Sequence, residues 1–153
     1  DLNLKSPDKT TSFSGNLWSE EHLKNLGSLE KVKKNNKYAI IDSKYPQKGV
    51  KESVQYCEEN KLEYDIIGDP DYSKFLEILS LYSTLVFHPS TPETCCRVIL
   101  EAKMMGLSII TNKLIGSSYE KWYRLNGKEL RDYMVNKRET FADFISEIRR
   151  DES

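Results

Sequence analysis

The feature that most constrains this chain is a regular alternation between residues 37 and 112. Short apolar runs (KYAIID, EYDIIG, TLVFHPS and LSIITN) are separated by VKESVQYCEEN, DPDYSKFLEILSLYS and CCRVILEAKMMG. The runs have strand length, and the stretches between them are helical in pattern and about 10 to 15 residues long. Val50, Val54 and Cys57 share one helical face, Asp71 or Ser73 can cap the second helix, and Gly106 can stop the third. A strand followed each time by a helix has to return over its own sheet, which gives a parallel sheet covered by helices.

Further elements flank this alternation. WSEEHLKNLGSLEKVKK reads as a helix with Ser19 as N-cap and acidic residues in its first turn, weakened or ended near its middle by Gly27. SSYEKWYRL also reads as helical. In GKELRDYMVNKRETFADFISEIRR, Phe141, Phe144, Ile145 and Ile148 form a stripe at helical spacing. Residues 1 to 16 are polar and read as a linker. Residues 17 to 153 are expected to form one α/β domain, a Rossmann-like parallel sheet with extra C-terminal helices. The length of 153 residues and the 38% hydrophobic content suffice for a real core.

The formal net charge of −1 argues against a chain built to coat nucleic acid. No apolar run approaches the roughly 20 residues that span a bilayer. The chain starts at Asp1 without Met or a signal-like segment, so a fragment or processed piece is expected. Cys57, Cys95 and Cys96 have neither disulfide-framework nor zinc spacing and read as free thiols of a reducing compartment.

Ligands of open parallel sheets bind beyond the carboxyl ends of the strands. Three loops are expected there: 43 to 49, 68 to 72 and 89 to 96. The last leads into a helix whose free N–H groups, near Thr94 to Arg97, favour an anion. If that helix begins near Cys95, Glu101 lies about 9 Å along its axis, near the span from a diphosphate to its ribose. Glu93 would stand on the other side of the phosphates. On spacing alone, a surface ion pair of Arg97 and Glu101 is the favoured account. Lys48, at a helix start before Gly49, suggests a phosphate ligand, with Lys44 as a second; a solvated lysine is the plainer reading. The Gly68-Asp69-Pro70 loop and Tyr72 could wall a base, and His88 stands near the same rim. Tyr72 as core cover and His88 as a structural residue are the simpler assignments. P-loop, G-x-G-x-x-G, nucleophile-elbow and clustered metal-ligand patterns are absent from the sequence.

Taken together, Pro89-Ser90, Glu93, Glu101-Ala102, Gly106 and Ile109-Ile110-Thr111, with Lys48-Gly49 and Gly68 upstream, resemble the C-terminal domain of GT-B-fold retaining glycosyltransferases of family 4. The resemblance covers roughly residues 38 to 112, and the last long helix is similar to the family's closing one. It implies a donor-binding half that transfers a sugar from a nucleotide-diphosphate sugar to an acceptor, without a metal or other cofactor. Glu101 would then hold the ribose hydroxyls, Glu93 the sugar ring, the backbone of Thr94, Cys95 and Cys96 the pyrophosphate, and Lys48 the leaving diphosphate. Two positions depart from the family pattern. Asp42-Ser43 stands where Gly-Arg is common, with Lys44 as a substitute charge, and Cys95-Cys96 replaces Phe-Gly. The resemblance also implies a separate N-terminal GT-B domain that holds the acceptor. The expected partners are therefore the nucleotide sugar and that domain, with no nucleic acid. The expected compartment is the cytoplasm, with membrane contact only through the other domain. Alone, this half is expected to bind a nucleotide sugar weakly and to transfer nothing. The alternative is a non-catalytic nucleotide-sugar-binding module of the same ancestry; a sugar-nucleotide epimerase is a third, weaker one.

Overall fold

The computed structural model describes residues 16–94 and 96–151, the last four as helix backbone only. The linker assigned to residues 1 to 16 therefore lies outside the described residues except for Asn16, as do Cys95 and the side chain of Ile148.

Helix α1 (Glu20–Glu30) precedes strand β1 (Asn35–Ile41); then follow α2 (Val50–Glu59), β2 (Tyr64–Ile67), α3 (Tyr72–Ser80), β3 (Tyr82–Phe87), α4 (Arg97–Met104), β4 (Ser108–Thr111) and α5 (Gly127–Asp151). The four strands form one wholly parallel sheet in the order β2-β1-β3-β4. The fold is the expected Rossmann-like α/β architecture, and its strand order reverses between β1 and β3.

Side chains alternate across the strands as the pleat requires. Ala39, Leu85 and Phe87 face a large core built with Leu26, Leu76, Leu79, Ile99, Leu100, Met104 and Leu130 from the helices. Ile40 and Val86 face the other way, onto Cys57 with Val50 and Val54 of α2. One face of the sheet thus carries α1, α3, α4 and α5, and the other carries α2.

Several local expectations change. Gly27 does not end α1, which runs on to Glu30. A Cβ at Gly27 would lie 3.2 Å from Arg131 Nε, so the glycine makes room for a side chain of α5. Strand β3 begins at Tyr82, two residues before the TLVFHPS run, because α3 stops at Ser80. SSYEKWYRL is not one helix. It folds as two short 3₁₀ turns, Gly116–Tyr119 and Lys121–Arg124, broken by an extended Glu120 (ψ 143°). Ser19 does cap α1, accepting from His22 N at 3.2 Å, and Asp71 caps α3. Gly106 ends α4 in the left-handed region (φ +79°). Among the described residues no helix is long and apolar enough to cross a membrane.

Candidate functional site at the carboxyl ends of β1 and β3

The crevice where strand order reverses is where open α/β sheets place ligands. Here it is a cavity of about 180 Å³, lined chiefly by Asp42, Ser43, Lys48, Tyr72, Phe75 and Cys96.

The loop after β1 closes in a 3₁₀ turn, Pro46–Lys48, and ends at Gly49 in the left-handed region (φ +68°). Only glycine fits there: a Cβ would stand 1.7 Å from His88 O. Ser53, buried at the start of α2, donates to Gly49 O at 2.8 Å and accepts from His88 N at 3.0 Å. Ser90 N donates to Gln47 O at 3.1 Å. The loops after β1 and β3 are therefore laced together. The lacing holds Lys48 Nζ 2.6 Å from Glu93 Oε1, across 45 positions of chain.

Glu93 is fixed from its other side by a fourth loop, beyond the three expected from the sequence. After β4, Leu114 O accepts from Glu93 N at 2.8 Å and Gly116 N donates to Glu93 O at 2.7 Å, a parallel bridge between Glu93 and Ile115. Asn112 Nδ2 adds a bond to Pro89 O at 2.8 Å. A Cβ at Gly116 would lie 2.9 Å from Thr94 O, so this glycine too is set by close approach. Four strand-end loops build the rim, not three. Asn112 and the glycine four residues later were the signal for the fourth.

Helix α4 starts later than expected. Cys96 is its N-cap, with extended backbone (ψ 101°), and the first helical residue is Arg97. The Cys96 side chain is buried in the large core. Glu101 therefore lies about 6 Å along the axis from the helix start rather than about 9 Å. Burial pushes the Cys96 thiol up from 9.0 to about 11, so it is no nucleophile at neutral pH.

The account of Glu101 as half of a surface pair is also corrected. Its side chain has 0% exposure, although Arg97 does reach it at 3.7 Å. Its Oε1 bonds His22 Nε2 at 2.9 Å, and its Oε2 accepts from the Tyr72 hydroxyl. His22 stacks on Trp18 at 5.4 Å, and the Arg97 guanidinium lies over Trp18 at 5.1 Å. Spacing revealed the Arg97 partner only. His22 and Tyr72 arrive from α1 and α3 through the tertiary fold, and no local pattern announces them. Burial and the neighbouring Glu101 raise the Tyr72 hydroxyl well above its ordinary pKa.

The remaining candidates are dispersed. Lys44 is exposed, sits over the Tyr45 ring at 5.5 Å and lines a separate groove of about 510 Å³ with Ser43, Lys51 and Ser90. Gly68 ends β2 against Asp42, whose Cβ would be 3.1 Å from a Cβ there. Thr94 is exposed. His88 packs edge-on against Tyr56 at 4.8 Å, and burial lowers its pKa, as a structural histidine would show. A groove of about 680 Å³ runs between α1 and α5, is lined by none of the strand-end loops, and carries mixed charge. Its size does not outweigh the convergence of Lys48, Glu93 and the α4 start at the switch point.

Comparison of the chain with protein-family models, curated proteins and solved structures found no match in any of the three.

Proposed function

We propose that this chain is the donor-binding part of a retaining glycosyltransferase of the GT-B, family 4 kind, using a nucleotide-diphosphate sugar. The observation that supports the reading is the 2.6 Å pairing of Lys48 with Glu93, set beside the start of α4 with Glu101 one turn deeper. Lys48 and the free N–H groups at the helix start offer positive potential to a diphosphate. In this reading Lys48 stabilises the charge that grows on the leaving diphosphate. Glu93 meets the transferred sugar, Thr94 to Cys96 line the pyrophosphate, and Glu101 takes the ribose hydroxyls. The acceptor is held by a second Rossmann-like domain outside this chain, and the chemistry needs no metal.

Titration of the chain with UDP-, GDP- and ADP-sugars, followed by amide NMR, tests the reading. Shifts should cluster on residues 43 to 49, 68 to 72 and 89 to 101. An unchanged spectrum with every donor would sink it.

A second reading, a nucleotide-sugar-binding module without transferase activity, draws on Ser43 in place of a second phosphate-binding cation and on Lys44 facing another groove. Donor turnover by this chain joined to its acceptor domain would exclude it.

A further inference from the structure

We propose that Tyr72 is a gate seated on Glu101, its phenol holding the place that a ribose hydroxyl of a nucleoside diphosphate takes on binding. The inference rests on the reading of Glu101 as the ribose-binding carboxylate. An ionised carboxylate buried without partners is costly, so a wholly enclosed Glu101 needs its hydrogen bonds. Its two close partners differ in how firmly they are held. His22 lies against Trp18, which is 3% exposed and covered by Arg97. Tyr72 is the first residue of α3, is 46% exposed and leans on Phe75 with ring centroids 5.8 Å apart. Tyr72 is therefore the partner that can leave.

Space points the same way. Tyr72 stands between the switch-point crevice, which it lines, and Glu101, which does not line it. The crevice measures about 180 Å³. Small-molecule sites usually need about 300 Å³ or more. An outward swing of Tyr72 would join the crevice to the carboxylate and enlarge it. The exchange is conservative, since an alcohol O–H replaces a phenol O–H on the same oxygen and Glu101 is never left bare. The gate also selects, because a nucleotide without ribose hydroxyls has nothing to offer in exchange.

Two measurements test this. The first is carbodiimide-driven amine labelling of Glu101, read by mass spectrometry, which needs no ligand. Glu101 should be protected in the wild type and label about tenfold faster in Tyr72→Ala, the scale of one hydrogen bond to a charged group. Equal labelling in the two proteins overturns the gate. The second is calorimetry with UDP, GDP, ADP and their 2′,3′-dideoxy forms. Tyr72→Phe, which keeps the ring, should bind its preferred ribonucleotide about tenfold tighter than wild type. The dideoxy form should gain nothing, and Glu101→Gln should lose affinity. If Glu101→Gln weakens binding but Tyr72→Phe does not strengthen it, the gate fails and the donor-site reading stands. If none of the three diphosphates binds any variant, the donor-site reading fails and the gate with it.

Discussion

Lys48 Nζ and Glu93 Oε1 meet at 2.6 Å across the ends of two neighbouring strands, with the side chains 38% and 19% exposed. With its lysine this open to water, the pair is worth about 0 to 1 kcal/mol. Such a contact is a poor reason to lace two loops together, but a suitable way to hold a cation ready for an anion. Lys48→Ala should therefore lower unfolding stability by less than about 1 kcal/mol in urea. Its affinity for a nucleoside diphosphate should fall about tenfold or more, the scale of a lost charge-assisted hydrogen bond. A large stability loss with unchanged affinity would make the pair a structural tie instead.

Gly49 and His88 give a sharper backbone test. The left-handed φ of +68° and the 1.7 Å approach to His88 O leave no room for a methyl group. The dihedral alone costs about 1 kcal/mol in a residue other than glycine. The clash forces the β1 and β3 loops apart as well. Gly49→Ala should thus lose about 3 kcal/mol or more by urea denaturation. A near-wild-type midpoint would show that the two loops do not touch as described.

The strands and helices were legible because strand length and helical spacing alternate without interruption, and because Ser19, Asp71 and Gly106 mark element ends by local chemistry. Gly27 misled because its reason is Arg131, 104 positions away in sequence. SSYEKWYRL misled because an extended Glu120 splits it into the turns Gly116–Tyr119 and Lys121–Arg124, a break that no glycine or proline within it marks. At the candidate site, residue types and spacing picked out Lys48 and Glu93, which the fold brings together. They could not tell whether Glu101 faced water or the interior. That depends on His22 and Tyr72, which reach it from other elements. Lys44, expected only as a second phosphate ligand, lines a separate groove instead of the crevice that Lys48 lines.

Cys96 predicts a pH effect. Its thiol ionises near 9.0 when unfolded and near 11 in the fold, where burial opposes the thiolate. Between those values the folded state binds more protons than the unfolded one, so stability falls as pH rises. The full loss is about 2 to 3 kcal/mol for a shift of this size, before solvent exposure discounts it. Tyr72 and Tyr123 add a fall of their own at high pH, while Lys34 and Lys103, whose pKa values burial lowers, act oppositely. These groups are present in both wild type and Cys96→Ala, so the difference between the two reports the thiol together with its coupling to Tyr72 and Tyr123. Urea midpoints from pH 8 to 10.5 should converge toward those of the variant. Parallel curves would mean that Cys96 is open to water.

Arg131 carries the last prediction, because it ties α5 to the site-bearing half of the fold. It pairs with Glu30 Oε2 at 2.6 Å, donates to Met104 O at the end of α4 and fits over Gly27 of α1. At 13% exposure its side chain is screened less by water than that of Lys48 at 38%, and it also serves the Met104 carbonyl. Removing it leaves a half-buried carboxylate and a carbonyl without a donor, a change that typically costs about 2 to 4 kcal/mol. Arg131→Ala should therefore lose stability on that scale, well beyond Lys48→Ala. Arg131→Lys should recover only part, since an ammonium does not reproduce the fork that reaches Glu30 and Met104 together. Hydrogen exchange gives the spatial check. Amides of α5 should lose protection first, while those of β1 and β3 keep theirs until global unfolding. Uniform loss across both would show that α5 and the sheet unfold as one unit and that Arg131 is not a local tie.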